Sequence, residues 1–322
     1  MCEPSTVNRQ QSSVHRQVLH LSSHQQQQSS RNFSINQSAT NWYYLKNYAV
    51  YQPMSQKVKD PILDYYRKIT KSDYLHYGYW NVEDELKVEN LHRAQERYIK
   101  HLISLIPQGV ETILDVGCGT GGNALLLQEK GFQVEALSPD IAQEEAFKAK
   151  GEIPFYLTKF EDFETDKRYD LILMSESTQY IPVKSGFKKC RTILNSKGIL
   201  LVSDYFLREN FDKDNVLAIC THENSEYLKT AEEFGFEIIK SEDITSRVTP
   251  TLDLARLKYD EYILPTLELF NDLLLGWAPI PYKILKFLAR KPLKNLEMQL
   301  QLIDSHQFLK HRQYMIYLFE LI

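Results

Sequence analysis

Cysteine is scarce in this 322-residue chain: Cys2, Cys118, Cys190 and Cys220 stand far apart, with no Cys-x-x-Cys pair. That spacing argues against a zinc site or a disulfide framework and predicts reduced thiols in a cytoplasmic protein. Basic charge is not in excess either. Lys and Arg number 38 against 42 Asp and Glu, a net charge of −4, so the footprint of a nucleic-acid partner is missing. No apolar run reaches the length of a membrane-spanning helix. The first residues, MCEPSTVNRQQSSVHRQ, lack the apolar centre of a secretory signal. No internal repeat is visible. The most lipid-like stretch, Leu273 to Ala289, carries Lys283 and Lys286 and is broken by Gly276, Pro279 and Pro281. It fits a buried or interfacial lid, which leaves weak contact with a membrane surface open.

Apolar residues are not scarce: 43% of the chain is hydrophobic and 12% aromatic. Residues 1–40 are the exception. They are rich in Gln, Ser and Asn, include a QQQQ run, and cannot bury enough apolar surface to offset their ordering entropy, so this arm is expected to be disordered. Residues 41–322 are expected to form one domain. Within it, 41–106 is an N-terminal helical segment in which Leu91, Ala94, Tyr98, Leu102 and Ile106 recur at helical spacing. Residues 107–245 alternate strand and helix signals, beginning with TILDV and including the near-continuous apolar run YDLILM, as a buried parallel sheet requires. Residues 246–313 interrupt this rhythm with a helical, aromatic-rich insertion, and 314–322 read as a final strand. The expected fold is therefore α/β: a doubly wound, seven-stranded Rossmann-like sheet with right-handed crossovers, a last strand inserted antiparallel, and a helical lid before that strand.

The stretch ILDVGCGTGGNALLLQEK places a glycine loop between a strand and a helix. Glycines let the turn tighten and let backbone approach a ligand, and the helix directs its positive end at the same place. A GxGxxG pattern alone does not distinguish a dinucleotide from another ligand. Here Asp115 stands two residues before Gly117, at the carboxyl edge of the strand. A carboxylate there repels a diphosphate and suits an ammonium or a sulfonium.

With the preceding LHYGYWN and the LHRAQ that follows it, this loop resembles the class I S-adenosylmethionine-dependent methyltransferases. Within them it is similar to the branch containing tocopherol, sterol and isoprenoid methyltransferases and the cyclopropane fatty acid synthases. The resemblance covers roughly residues 70–245 and the last strand. It implies S-adenosyl-L-methionine as cofactor, with Asp115, Gly117, Gly119 and Gly121 along its methionine and ribose side. An acid is expected about 20 residues downstream for the ribose hydroxyls. The sequence departs from that pattern, offering Ser138 with Asp140 two residues later, and Asp140 could equally cap the next helix. Near adenine, Lys159 stands where an acid is usual; Phe160 is expected to flank the ring, and Glu161 either contacts it or is solvated.

Candidates for work on the substrate cluster in three places. SESTQY follows the fourth strand and supplies Ser175 and Glu176 at the edge where such sheets bind ligands; Glu176 could instead be a helix-cap partner. LHYGYW supplies His76 and Tyr77, as a closing segment or as a hydrophobic plug. His222 could be a base, or lie beside a helix capped by Ser225. In the insertion, Tyr259, Tyr262, Phe270, Trp277 and Tyr282 are either core or the lid over an apolar acceptor. The resulting expectation is a methyltransferase of secondary metabolism, acting on a small apolar or amphipathic metabolite: a natural product, a prenyl compound or a lipid-like acceptor. No metal site and no nucleic-acid partner are expected. The rivals are a non-catalytic S-adenosylmethionine-binding regulatory protein and a nicotinamide-dependent oxidoreductase.

Overall fold

Every strand expected from residue 112 onward is present in the computed structural model of the protein, which describes residues 68–70, 72, 74–209, 211, 215–218, 221–278, 281–282 and 300–322. The Gln-rich arm, residues 41–67 and part of the insertion lie outside the described residues. In chain order the elements are α1 (Val88–Ser104), β1 (Thr112–Val116), α2 (Gly122–Glu129), β2 (Gln133–Ser138), α3 (Ile141–Lys148), β3 (Phe155–Leu157), β4 (Tyr169–Ser175), α4 (Val183–Ile193) and β5 (Leu194–Leu207). They continue with α5 (Asn224–Glu233), β6 (Phe236–Asp243), α6 (Thr245–Val248), α7 (Pro250–Lys258), α8 (Leu264–Trp277), α9 (Ser305–His311) and β7 (Arg312–Leu321).

The strands form one seven-stranded sheet in the order β3-β2-β1-β4-β5-β7-β6. The first five are parallel, and β7 enters antiparallel between β5 and β6. The expected sheet and its inverted last strand are both found. Strand β4 shows why the pattern was readable. Leu171, Ile172, Leu173 and Met174 are all buried, because helices cover both faces of a parallel strand, so its apolar residues cannot alternate with polar ones. One apolar cluster lies on each side: Ile113, Leu171, Leu173, Ile199 and Leu201 face α1, while Leu114, Ile172, Met174, Leu200 and Val202 face α4 and α5.

Parallel strands with carboxyl ends on one edge gather residues 115–121, 138–140, 158–161, 175–180 and 204–208 there. A strap, residues 74–80, runs over this edge. Trp80, only 1% exposed, anchors it: its backbone N–H donates to Arg247 O at 2.8 Å and its indole N–H to Thr251 Oγ1 at 2.9 Å. Gln95 of α1, on the buried face beside Leu91 and Tyr98, donates to His76 O at 2.7 Å and Tyr74 O at 3.3 Å and accepts from Ser72 Oγ at 2.6 Å.

The insertion behaves differently at its ends and its middle. Helices α6, α7 and α9 pack: Val248, Leu252, Leu254 and Phe308 are buried. Helix α8 buries none of its residues, and Phe270 and Trp277 are 60% and 85% exposed. Tyr262, in the π-helical turn before it, is 63% exposed. Of the two readings of these three aromatics, their exposure rules out core.

Candidate functional site

Asp115 is the central group of the edge. It lies on β1 between Ala136 of β2 and Leu173 of β4, is 1% exposed, and its Oδ2 has no hydrogen-bond partner. Loss of hydration raises its pKa from 3.8 to about 7. A buried carboxylate oxygen without a donor is costly, and a cationic ligand is the group that would relieve that cost. Beside it, Gly117, Gly119 and Gly121 have φ of +73°, +56° and +89°, a region closed to most side chains. Gly121 also makes room for Phe147: a Cβ there would lie 2.6 Å from that ring. Gly121 precedes α2, whose first turn has no acid, so its positive end is uncompensated.

The strap lies on this loop. Cβ atoms at Gly119 and Gly122 would meet Leu75 at 3.4 Å and Tyr74 at 2.7 Å. His76 is buried, with Nδ1 2.8 Å from Tyr77 O and Nε2 3.1 Å from Asn123 Oδ1, and its ring stacks on Tyr98 at 4.4 Å. Burial lowers its pKa to about 4, which favours the neutral ring, and a neutral ring donates through one nitrogen only. The structure joins the strap to α2 through His76.

Glu176, directly after β4, has φ +54°, unusual for a non-glycine residue. Several bonds hold it there. Its N–H donates to Ser203 O at 2.9 Å, and its Oε1 accepts from Tyr77 N at 2.7 Å and Tyr314 Oη at 2.8 Å. Desolvation raises its pKa to about 8, with neighbouring Asp204 adding to the rise. Behind it, Tyr314 Oη lies 2.8 Å from Tyr98 Oη, which contacts Ser175 Oγ at 3.0 Å and Ser203 Oγ at 2.8 Å. Around it, the Tyr77 ring sits 6.4 Å from Tyr205, 6.2 Å from Phe308 and 5.8 Å from Tyr314. The Arg312 guanidinium lies 4.4 Å over Tyr205.

Other candidates take structural places. Asp140 caps α3, accepting from Ala142 N at 2.8 Å and Gln143 N at 3.3 Å. Ser138 is buried at the end of β2 and donates to Gln143 Oε1 at 2.7 Å. Phe160 is 2% exposed and its ring belongs to the cluster with Leu114, Val116 and Leu137. Glu161, next to it, is half-buried. His222 places Nε2 2.9 Å from Thr178 O and 3.0 Å from Ile181 O. An Nε2–H in this position ties down the turn after β4 and leaves the basic lone pair on Nδ1. Among the described residues, no group of three or more His, Cys, Asp and Glu could hold a metal ion.

Three residues were missed by sequence reasoning. Asp204 ends the apolar run LLVSD on β5 and is fully buried, accepting from Thr178 Oγ1 at 2.5 Å and Tyr205 N at 2.8 Å. An acid closing an apolar strand is the same signal that marked Asp115. Gln95 is a polar residue inside the apolar stripe of α1, a signal that was also available. Tyr314 lies within YMIYLFELI and looks like any other core residue there.

Residues 90–241 match the family model of a methyltransferase domain. Over 125 residues the chain is 29% identical to a ubiquinone biosynthesis O-methyltransferase of Rickettsia typhi, covering 36% of this chain and 50% of that protein. Over 210 residues it is 24% identical to a probable chloroplastic tocopherol O-methyltransferase of Oryza sativa, covering 55% and 58%. The chain thus spans about half the length of the curated relatives it matches. In fold it is similar to a geranyl diphosphate C-methyltransferase of Streptomyces coelicolor, solved with Mg2+, geranyl diphosphate and S-adenosyl-L-homocysteine. That likeness has a TM-score of 0.59 at 15% identity and covers 90% of this chain and 99% of the other.

Proposed function

We propose, on the match of residues 90–241 to a methyltransferase-domain family model, that the protein transfers the methyl group of S-adenosyl-L-methionine to a small apolar or amphipathic metabolite. The observation that carries this reading is the orphaned Oδ2 of Asp115 beside three left-handed glycines. That pairing fits the ammonium of the cofactor's methionine end and opposes a diphosphate. Gly117, Gly119 and Gly121 let backbone approach the ligand, and Tyr74, Leu75 and His76 cover the loop against water. When bound, the cofactor supplies an activated methyl group on a sulfonium.

The protein's own part is alignment, exclusion of water and management of one proton. Tyr77 and Tyr205 are the partly exposed rings of the aromatic group beside Glu176, and they offer an apolar face to the acceptor. Glu176 is a carboxylate bonded to the strap, and it takes the proton role. Similarity to quinone, tocopherol and geranyl diphosphate methyltransferases supports a prenyl or lipid-like acceptor. The free thiols of Cys118 and Cys190 support a cytoplasmic location.

Calorimetry with S-adenosylhomocysteine and with NADH tests the ligand: heat with NADH alone would replace this reading with an oxidoreductase. Tritium transfer from labelled cofactor into a panel of prenylated phenols and isoprenoids tests the reaction. Tight cofactor binding without transfer to any acceptor would favour a regulatory binding protein.

A further inference from the structure

We propose that Tyr314 and Tyr98 form, with Ser175 and Ser203, a buried hydroxyl chain that supports Glu176 with and without its proton, making Glu176 the proton acceptor of the transfer. The inference rests on the methyl-transfer reading above. In that reaction the acceptor gains a methyl group and loses one proton. The electron pair that held the proton stays with the acceptor, and the proton passes to the Glu176 carboxylate.

The geometry carries the argument. Tyr314 Oη is 2.8 Å from Glu176 Oε1 and 2.8 Å from Tyr98 Oη. Tyr98 Oη then faces two serines, Ser175 Oγ at 3.0 Å and Ser203 Oγ at 2.8 Å. All four supporting residues are buried. Each hydroxyl has one proton, so the chain must point one way at a time. With Glu176 ionised, Ser175 donates to Tyr98, Tyr98 to Tyr314, and Tyr314 to Oε1. With the proton on Oε1, Glu176 donates to Tyr314, Tyr314 to Tyr98, and Tyr98 to Ser203. Reversal needs only hydroxyl rotations: the bond that Tyr98 donates to Ser203 Oγ is made in the protonated state and exchanged for the bond to Tyr314 in the ionised state. The fork of two serines on Tyr98 is what permits both directions. A purely structural carboxylate would need only one.

The position of Glu176 suits this use. Its backbone is held at φ +54°, and strain of that kind collects where a side chain must be aimed. Ser177, the next residue, donates to Val116 O at 2.6 Å, so Glu176 adjoins the glycine loop on one side and Tyr77 of the strap on the other. Both bonds to its carboxyl fall on Oε1. The titratable groups around it are Tyr77 from the strap, Tyr98 from α1, Asp204 and Tyr205 from β5, and Arg312 and Tyr314 from β7. Asp204 opposes ionisation of Glu176, whereas the N–H of Tyr77 and the Tyr314 hydroxyl favour it.

The test follows the carboxyl itself and needs no acceptor. Isotope-edited infrared spectra of the full chain with S-adenosylhomocysteine are titrated with pH, and Glu176→Gln identifies the band. Tyr314→Phe removes a donor to the carboxylate, so the midpoint should rise by about one pH unit. Tyr98→Phe should move it less, in the same direction. Tyr156→Phe, whose hydroxyl bonds Glu135, should leave it unchanged. A folded Tyr314→Phe protein with an unmoved midpoint would overturn the proposal. If Tyr314→Phe is not recovered folded, Tyr98→Phe and Ser175→Ala carry the test by the same criterion. Wild-type protein that gives no heat with S-adenosylhomocysteine would sink the methyl-transfer reading instead. The titration on ligand-free protein would still decide the chain.

Discussion

Ser177 occupies the space that a side chain at Gly117 would need: a Cβ built on Gly117 lies 2.4 Å from the Ser177 Cβ. Ser177 cannot easily withdraw, because its hydroxyl donates to Val116 O at 2.6 Å. The glycine loop and the turn after β4 are thus fitted to one another. Gly117→Ala should therefore cost about 2 to 4 kcal/mol of stability, from positive φ and overpacking together. Chemical denaturation would measure it. A variant as stable as wild type would show that the two loops can separate.

Asp115 makes a pH prediction. Its folded pKa is raised from 3.8 to about 7, so between those values the native state keeps a proton that the unfolded chain has lost. Stability of the ligand-free protein should then fall as pH rises through this window, at a limiting slope of about 1.4 kcal/mol per pH unit. Asp115→Asn should flatten that slope and stabilise the ligand-free protein near pH 7. It should also weaken S-adenosylhomocysteine binding by about 1 to 3 kcal/mol, because a charged acceptor for the ammonium is gone. Thermal unfolding across pH, with calorimetry, reads both. A parallel loss of stability and affinity would mean that Asp115 is structural.

The sheet was legible because its strands announce themselves. TILDV and YDLILM cannot be anything but buried when helices cover both faces, and the glycine loop falls between strand and helix as its φ values demand. The site was only partly legible. Asp115 and Glu176 could be placed because each ends a strand on the ligand edge. His76 and His222 could not be judged from sequence, since what decides them is which carbonyls face their nitrogens. Phe160 could not be judged from sequence either, because a ring next to a strand end reads the same whether it faces a ligand or the core. Tyr98 and Tyr314 are 216 residues apart in the chain yet 2.8 Å apart at their hydroxyls, a pairing that no local pattern encodes.

Gln95 gives a prediction about the strap. Its amide holds two carbonyls of residues 74 and 76 and one hydroxyl, and it is fully buried. Gln95→Leu keeps the volume but leaves those carbonyls without their donor, at a cost of about 1 to 3 kcal/mol. The loss should be local: faster amide exchange across residues 74–80 and weaker S-adenosylhomocysteine binding, with the sheet unaffected. Exchange mass spectrometry separates this from global unfolding. Uniform acceleration across β1 and β4 would show that Gln95 supports the core rather than the strap.

Helix α8 makes the last prediction. It is apolar, yet Leu267, Leu269, Phe270, Leu273, Leu274, Leu275 and Trp277 are all exposed, far more bare apolar surface than an isolated helix face normally leaves to water. On the proposed lipid-like acceptor, a lipid surface is the cover this helix fits, since a bilayer can receive exposed apolar side chains. Phe270→Ser combined with Trp277→Ser should leave stability within about 0.5 kcal/mol, because both rings are largely exposed among the described residues. The same pair should reduce sedimentation with phosphatidylcholine–phosphatidylglycerol vesicles severalfold. Cofactor affinity should not change. If the double variant instead loses stability, or wild type does not sediment with vesicles at all, the helix is covered by protein and the lipid reading fails.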